Sequence, residues 1–223
     1  MNVKMATQKN EILIKNSSNL SEIFKDDINI SILKRTLDND ISNAANFLLK
    51  ENPHLEFSNV VNKDNSYQVL TKELGSNKNH SILLEDISNL VKMFCNQFGI
   101  DSVWLRIDSI DKPMCPRFHV DNVKCRLVTT YAGPGTQWLP NESVDRSKLG
   151  HGNQGLPDEK SGLILDKMDI EQLDVGHIAL LKGEAWRNND GFGLVHRSPH
   201  VEGNYKRLYV TIDFGELHTD IFG

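Results

Sequence analysis

Cys115-Pro116-Arg117-Phe118-His119-Val120-Asp121, answered far along the chain by Gly193-Leu194-Val195-His196-Arg197, decides how the rest is read. His119, Asp121 and His196 stand in the order His-x-Asp…His. Two imidazoles and one carboxylate in that order can hold one divalent ion from one side and leave its opposite face open. On an extended strand, side chains i and i+2 point the same way, so His119 and Asp121 can meet one ion from a single strand end. His196 would come from a distant strand that folding lays alongside. The chain has 8 His, so a chance match is easy and the surroundings must carry the assignment.

Those surroundings read as β. Val103–Ile107, Cys125–Tyr131, Gly162–Leu165, Val175–Leu181, Gly193–His196 and Leu208–Phe214 are strand candidates, rich in β-branched and aromatic residues. Pro113 and Pro116 bracket a turn before His119, and Gly133-Pro134-Gly135 is turn chemistry. Residues 140–161 are polar and Gly-rich with Pro140 and Pro157, the pattern of a long loop able to act as a lid. Strand follows strand without an intervening helix, which predicts an antiparallel sandwich or barrel over residues 101–223.

The N-terminal part reads differently. Residues 1–27 are polar and predict a partly disordered segment. Ile28, Ile30 and Ile32 alternate with polar residues, a short strand signal. Asp38 or Asp40 can cap a helix with Ile41, Ala44, Ala45 and Leu48 on its apolar face, ending before Pro53. Residues 58–80 read as a surface connection around the apolar piece Tyr67–Leu74. From Ser81, the stripe Leu83, Ile87, Leu90, Val91, Phe94 and Phe98 predicts a helix stopped by Gly99. The expected organisation is α+β: one domain over 28–223, with a helical elaboration at 28–100 and a β-barrel core at 101–223.

The composition narrows the function classes. Of 223 residues, 39% are hydrophobic and 25% charged, enough for a sizeable core. The net charge of −5 without a basic block argues against nucleic acid as a partner. No apolar run approaches the roughly 20 residues of a membrane span, so no membrane partner is expected. The first residues lack the apolar stretch of a signal peptide. Cys95, Cys115 and Cys125 form no Cys-x-x-Cys, which predicts free thiols and a cytoplasmic protein.

The stretches CPRFHVD, TYAGPGTQWLP, GHIALLKGEAW and GLVHRSP resemble the bacterial family catalogued as domain of unknown function 1826, from about residue 28 onward. More distantly, the order of features resembles the cupin-like double-stranded β-helix (jelly-roll) dioxygenases that use Fe(II) and 2-oxoglutarate. That resemblance implies Fe(II) on His119, Asp121 and His196. It implies 2-oxoglutarate bound through Arg207, eleven residues after His196, with Thr129, Tyr131, Tyr209 and Thr211 beside it. The usual Arg-x-Ser is here Arg207-x-Tyr209, which leaves the cosubstrate less certain than the metal. Arg126, Trp138, Trp186 and Arg197 would line the pocket of an unknown small-molecule or protein substrate.

Two alternatives stay open at this stage. Cys115 or Cys125 as a thiolate would favour Zn²⁺ and a cupin-like metal-binding protein of metal homeostasis without oxygenase activity. Imidazoles of His119 and His196 more than about 6 Å apart would leave a binding domain without metal. Of the remaining groups, Arg197 could instead pair with Glu184 or Asp213. Trp104 reads as core, His151 and His177 as surface residues, and His200 as part of a turn.

Overall fold

The computed structural model describes residues 12–14, 17–111, 115–200 and 206–215. In chain order the elements are β1 (Ile12–Ile14), β2 (Ile30–Leu33), α1 (Asn39–Glu51), β3 (Glu56–Asn62), α2 (Ser66–Leu74), α3 (Ser81–Phe98) and β4 (Ser102–Ile110). Then follow β5 (Cys125–Ala132), β6 (Gln137–Leu139), α4 (Asp158–Ser161), β7 (Glu171–Gln172), β8 (Ile178–Lys182), β9 (Val195–Arg197) and β10 (Arg207–Phe214). The fold is α+β, with every strand pairing antiparallel except β1 with β2.

Seven strands make one sheet in the order β1-β2-β8-β5-β10-β4-β3, and β7-β6-β9 make a smaller one. The period of two along each strand sorts side chains between two cores. Leu127 of β5, Leu180 of β8, Val210 and Ile212 of β10 and Leu105 of β4 join Ala45, Leu48, Leu84, Ile87 and Val91 of α1 and α3 in the main core. Ile30, Ile32, Val128, Ala179 and Leu181 point the other way and meet Trp138 of the small sheet. The large sheet therefore lies between a helical layer and the small sheet. On the face turned from the helices, its β4–β3 side carries no such cover among the described residues: Arg106 is exposed and Val60 is 41% exposed.

α3 has the apolar stripe its sequence predicts, and Gly99 ends it in the left-handed conformation, its backbone N–H donating to Cys95 O to close the last turn. Its first residue is Ser81 and the capping position is His80 rather than Ser81. Asp38 occupies the capping position of α1 without a side-chain hydrogen bond.

The N-terminal part differs from expectation in three ways. Ser17–Phe24 is a 3-10 helix with Leu20 and Ile23 fully buried, so the polar composition of residues 1–27 hid two core anchors. Residues 1–11 and 15–16 lie outside the described residues, as does Pro113. β3 forms within the stretch read as a surface connection, because pairing along β4 overrides the weak strand propensity of Ser58, Asn59 and Asn62. β2 and β3 thus join the same sheet as β4, β5, β8 and β10, so residues 28–100 are not a purely helical addition. In the C-terminal half, Gly162–Leu165 contributes only an isolated bridge, Val144 with Ile164.

Candidate metal centre

His119 and His196 face each other across an isolated antiparallel bridge. Each backbone N–H donates to the other's carbonyl, His119 N to His196 O at 3.0 Å and His196 N to His119 O at 2.9 Å. Directly opposed residues carry their side chains on the same side. The two imidazoles accordingly stack with centroids 4.6 Å apart. The expected regular strand under His119 and Asp121 is absent; the two segments meet through this bridge and a further bond from Ser198 N to Cys115 O at 2.9 Å.

The Nδ1 atoms fix the tautomers. His119 Nδ1 lies 2.9 Å from Arg117 O and His196 Nδ1 lies 3.0 Å from Leu194 O. A carbonyl only accepts, so each Nδ1 donates, and whenever the ring is neutral its lone pair lies on Nε2. Both Nε2 atoms turn toward Asp121: His119 Nε2 is 3.7 Å from Oδ1 and His196 Nε2 is 3.3 Å from Oδ2. One ligand atom from each of the three residues lies within 4.8 Å of the others. With ligand bonds near 2.1 Å, neighbouring donors on one ion stand about 3 Å apart, close to this spacing. A binding domain with distant imidazoles is thereby excluded. Burial grades across the group: the side chains of His119, Asp121 and His196 are 33%, 16% and 7% exposed, leaving the His119 side open.

Electrostatics favour the ligating forms. Burial, helped by the charge on His196, lowers the pKa of His119 and keeps it neutral. Burial opposes ionisation of Asp121. The hydrogen bond and charge of His196 together with Arg126 outweigh it, holding the carboxyl well below the usual range. Arg126 donates from Nη1 to Asp121 Oδ2 at 2.6 Å and forks onto both oxygens of Asp213 at 2.7 Å each. It is thus committed to two carboxylates and holds Asp121 in place.

Arg207, at the start of β10, is 1% exposed. Its Nη2 donates to Thr130 and Thr136 Oγ1 at 3.1 and 2.9 Å, and its Nη1 reaches Ser198 Oγ at 3.4 Å. The guanidinium stacks 3.9 Å above the Tyr209 ring. Among the described residues Nε has no hydrogen-bond partner and no carboxylate figures among its charged neighbours. Burial pulls its pKa below the ordinary guanidinium value. A buried cation without an anion is costly and marks a place where an anion would be welcome. Gly133, at φ +79°, lets the turn after β5 close over it; a Cβ there would come within 2.9 Å of Arg207 Cα.

Tyr209 and Thr211 share the face of Arg207 and line the same cleft as His119, His196 and Arg126. Other expected residues go elsewhere. Thr129 and Tyr131 lie on the helical face of β5, since they alternate with Arg126; the Tyr131 hydroxyl donates to Asp86 of α3. Trp138 is 2% exposed between the sheets, and Trp186 packs with Phe24 and Phe98 on the helical side. Arg197 lines the cleft but is engaged by Gln137, Asp158 and Glu159 and by the Phe118 ring, not by Glu184 or Asp213. Cys115 lines the cleft outside the ligand group, and Cys125 is buried in the main core, where burial pushes its thiol up. Trp104 is half-buried on the open face and donates to Ser58 Oγ at 2.8 Å. The loop 140–161 is fastened: Asp158 accepts from Phe118 N at 2.7 Å, and Arg117 donates to Leu156 O at 3.1 Å.

Thr130, Thr136, Ser198, Asp158 and Asp213 were not foreseen. Thr130 was legible, because it shares Arg126's parity on β5. The others sit in turns or depend on cross-strand register, which no local pattern reveals.

Residues 15–213 match the profile of a family described as protein of unknown function, DUF1826, so the likeness begins earlier than residue 28. No protein of curated function matches the sequence. Among solved structures, the dioxygenase for auxin oxidation 1 from Arabidopsis thaliana, in a 2-oxoglutarate complex, aligns at TM-score 0.50 and 11% identity, covering 95% of this chain and 94% of its own. The rice dioxygenase for auxin oxidation aligns at TM-score 0.53 and 10% identity, covering 92% and 82%. At such identities the likeness is one of fold.

Proposed function

Because the chain belongs to the DUF1826 family, whose description assigns no activity, its chemistry has to be argued from the site, and we propose that it is a mononuclear non-haem iron oxygenase using 2-oxoglutarate. The observation that carries this is the convergence of one ligand atom from each of His119, Asp121 and His196 within 4.8 Å, at the wall of an open cleft. The second support is Arg207, a buried cation without an anion among the described residues. On this proposal the two sheets form a double-stranded β-helix, and residues 28–223 act as one domain.

The donor set suits Fe(II): two imidazoles, each able to offer Nε2 once neutral, and one ionised carboxylate on one face. Bound there with a 2-oxoacid, iron supplies O₂-dependent oxidation coupled to decarboxylation. The chain's own groups do the rest. The carbonyls of Arg117 and Leu194 keep the imidazoles in the Nδ1–H tautomer. Arg126 holds Asp121 Oδ2, which leaves Oδ1 as the freer oxygen for the metal. Arg207 would receive the distal carboxylate of 2-oxoglutarate through its fork, with Tyr209 beneath and Thr130, Thr136 and Ser198 steering the guanidinium. The Arg-x-Tyr pattern is accommodated in this way: Tyr209 serves as the stacking platform while threonine and serine hydroxyls replace the usual partner.

Anaerobic titration of metal-free protein with Fe(II) and 2-oxoglutarate tests the proposal. A weak visible charge-transfer band is expected, lost in His196→Ala. A zinc-binding protein is the second reading, favoured by Cys115 on the same cleft. Tight Zn²⁺ binding that weakens in Cys115→Ser, with no band on adding Fe(II), would replace the first reading with it.

A further inference from the structure

The cleft beside the His119–Asp121–His196 group is narrow at its base and open to solvent at its mouth. Most polar groups on its wall are already engaged. Arg126 holds Asp121 and Asp213, and Arg197 holds Asp158 and Glu159. Ser198 and Thr136 accept from Arg207. Two charged side chains remain. Arg106 and Asp108 stand two residues apart on β4, on the face shared with Tyr209 and Thr211. Among the described residues neither has a hydrogen bond or a contact ion pair; Arg106 lies 6.0 Å from the Trp104 ring and feels Asp108 only through space, as Asp108 also feels Glu56.

The register sharpens the asymmetry. Asp108 lies opposite Glu56 of β3, so two carboxylates face each other across a strand pair. Like charges directly opposed are destabilising, and a cation placed between them relieves the repulsion. Arg106 sits opposite Thr211 on one side and Ser58 on the other, neutral neighbours that leave its fork free for an anion. This half of the sheet is also where no helix or small sheet covers the outer face. The cleft thus opens from the His119–Asp121–His196 group onto a strand bearing one free anion and one free cation, with Trp104 beside them.

We propose that Asp108 and Arg106 form the receptor for a zwitterionic substrate, a free amino acid or short peptide, whose cationic nitrogen meets Asp108 and whose carboxylate meets Arg106. The proposal names the substrate class of the same cleft and so rests on the oxygenase reading. Alternate residues on a strand are about 7 Å apart. That spacing suits the two termini of a short peptide better than the ammonium and carboxylate on one Cα, which the two side chains would have to converge to reach.

Isothermal titration of the full chain, metal-free, with the common L-amino acids and with dipeptides of each tests it. Each binder is repeated as its N-acetyl and its carboxamide form. At least one zwitterion is expected to bind, with each blocked form about tenfold weaker or more. Asp108→Asn should abolish the discrimination against the N-acetyl form, and Arg106→Gln that against the carboxamide. Binding by none of the probes, or discrimination unchanged in both variants, overturns the receptor. The Fe(II)/2-oxoglutarate titration of the wild-type chain runs alongside. Zwitterion binding without the visible band keeps the receptor and discards the oxygenase, whereas the band without zwitterion binding discards the receptor alone.

Discussion

Arg207 carries its charge into the protein at a cost that hydroxyls and the Tyr209 ring offset in part and an anion would offset further. Arg207→Met keeps the stem's packing and removes the charge. The expected result is a loss of 2-oxoglutarate affinity of about tenfold or more, with Fe(II) affinity kept and the ligand-free melting temperature not lowered. Calorimetric titration and a thermal melt check both halves. Asp108 gives the pH counterpart. Burial, opposed by Arg106 and aided by Glu56, pushes its carboxyl up to about 6. A folded pKa above the unfolded value of about 3.9 means that the native state holds the proton more tightly. Ionisation therefore withdraws stability as pH rises from about 4 to about 6. Asp108→Asn should melt higher than the wild type at pH 7.5, with the gain shrinking toward pH 4. An equal difference at both pH values would contradict it. At this scale the His-x-Asp and the distant His were legible because ligand chemistry restricts the residue types. Thr129 and Tyr131 were misassigned because a strand shows only every second residue to one face, and Arg126 had already fixed which.

Helix α4 is only Asp158–Ser161, yet it fastens the long loop to the centre. Asp158 is 4% exposed and accepts from the backbone N–H of Phe118, the residue before His119. Asp158→Ala should cost about 1–3 kcal/mol of stability, as a buried donor loses its partner. It should also loosen the loop to protease. Limited proteolysis that cuts both proteins within 140–161 at the same rate would show the clasp to be idle. The loop's length was legible from its glycines and prolines. Its fastening was not, since one carboxylate meeting one distant N–H leaves no periodic mark. α3 was the clearest element because an amphipathic stripe is a local property. β3 was hidden because its stability is borrowed from β4.

Across the whole molecule, β1 and β2 close one edge of the seven-stranded sheet against β8. Ile30 and Ile32 of β2 help to fill the core between the sheets. A chain beginning after Leu33 would bare the edge of β8 and open that core. It should lose its cooperative melt and aggregate, measurable by calorimetry and light scattering; a sharp transition at the native temperature would contradict this. No helix among the described residues is long and apolar enough to cross a membrane. The mainly antiparallel architecture was legible as a count of strand signals. The division into a large and a small sheet was not, because it follows from pairings between residues far apart in sequence.

The lone bridge between His119 and His196 has a consequence for the protein's lifetime. Two short segments, distant along the chain, are held there by that reciprocal pair of backbone bonds, by a third from Ser198 N to Cys115 O, and by Arg197 over the Phe118 ring. An ion gripping both imidazoles would act as a removable rivet across that seam, adding stability in proportion to the logarithm of its free concentration over its dissociation constant. The seam would open more often in metal-starved cells, and turnover of the protein would then keep step with metal supply before any substrate is met.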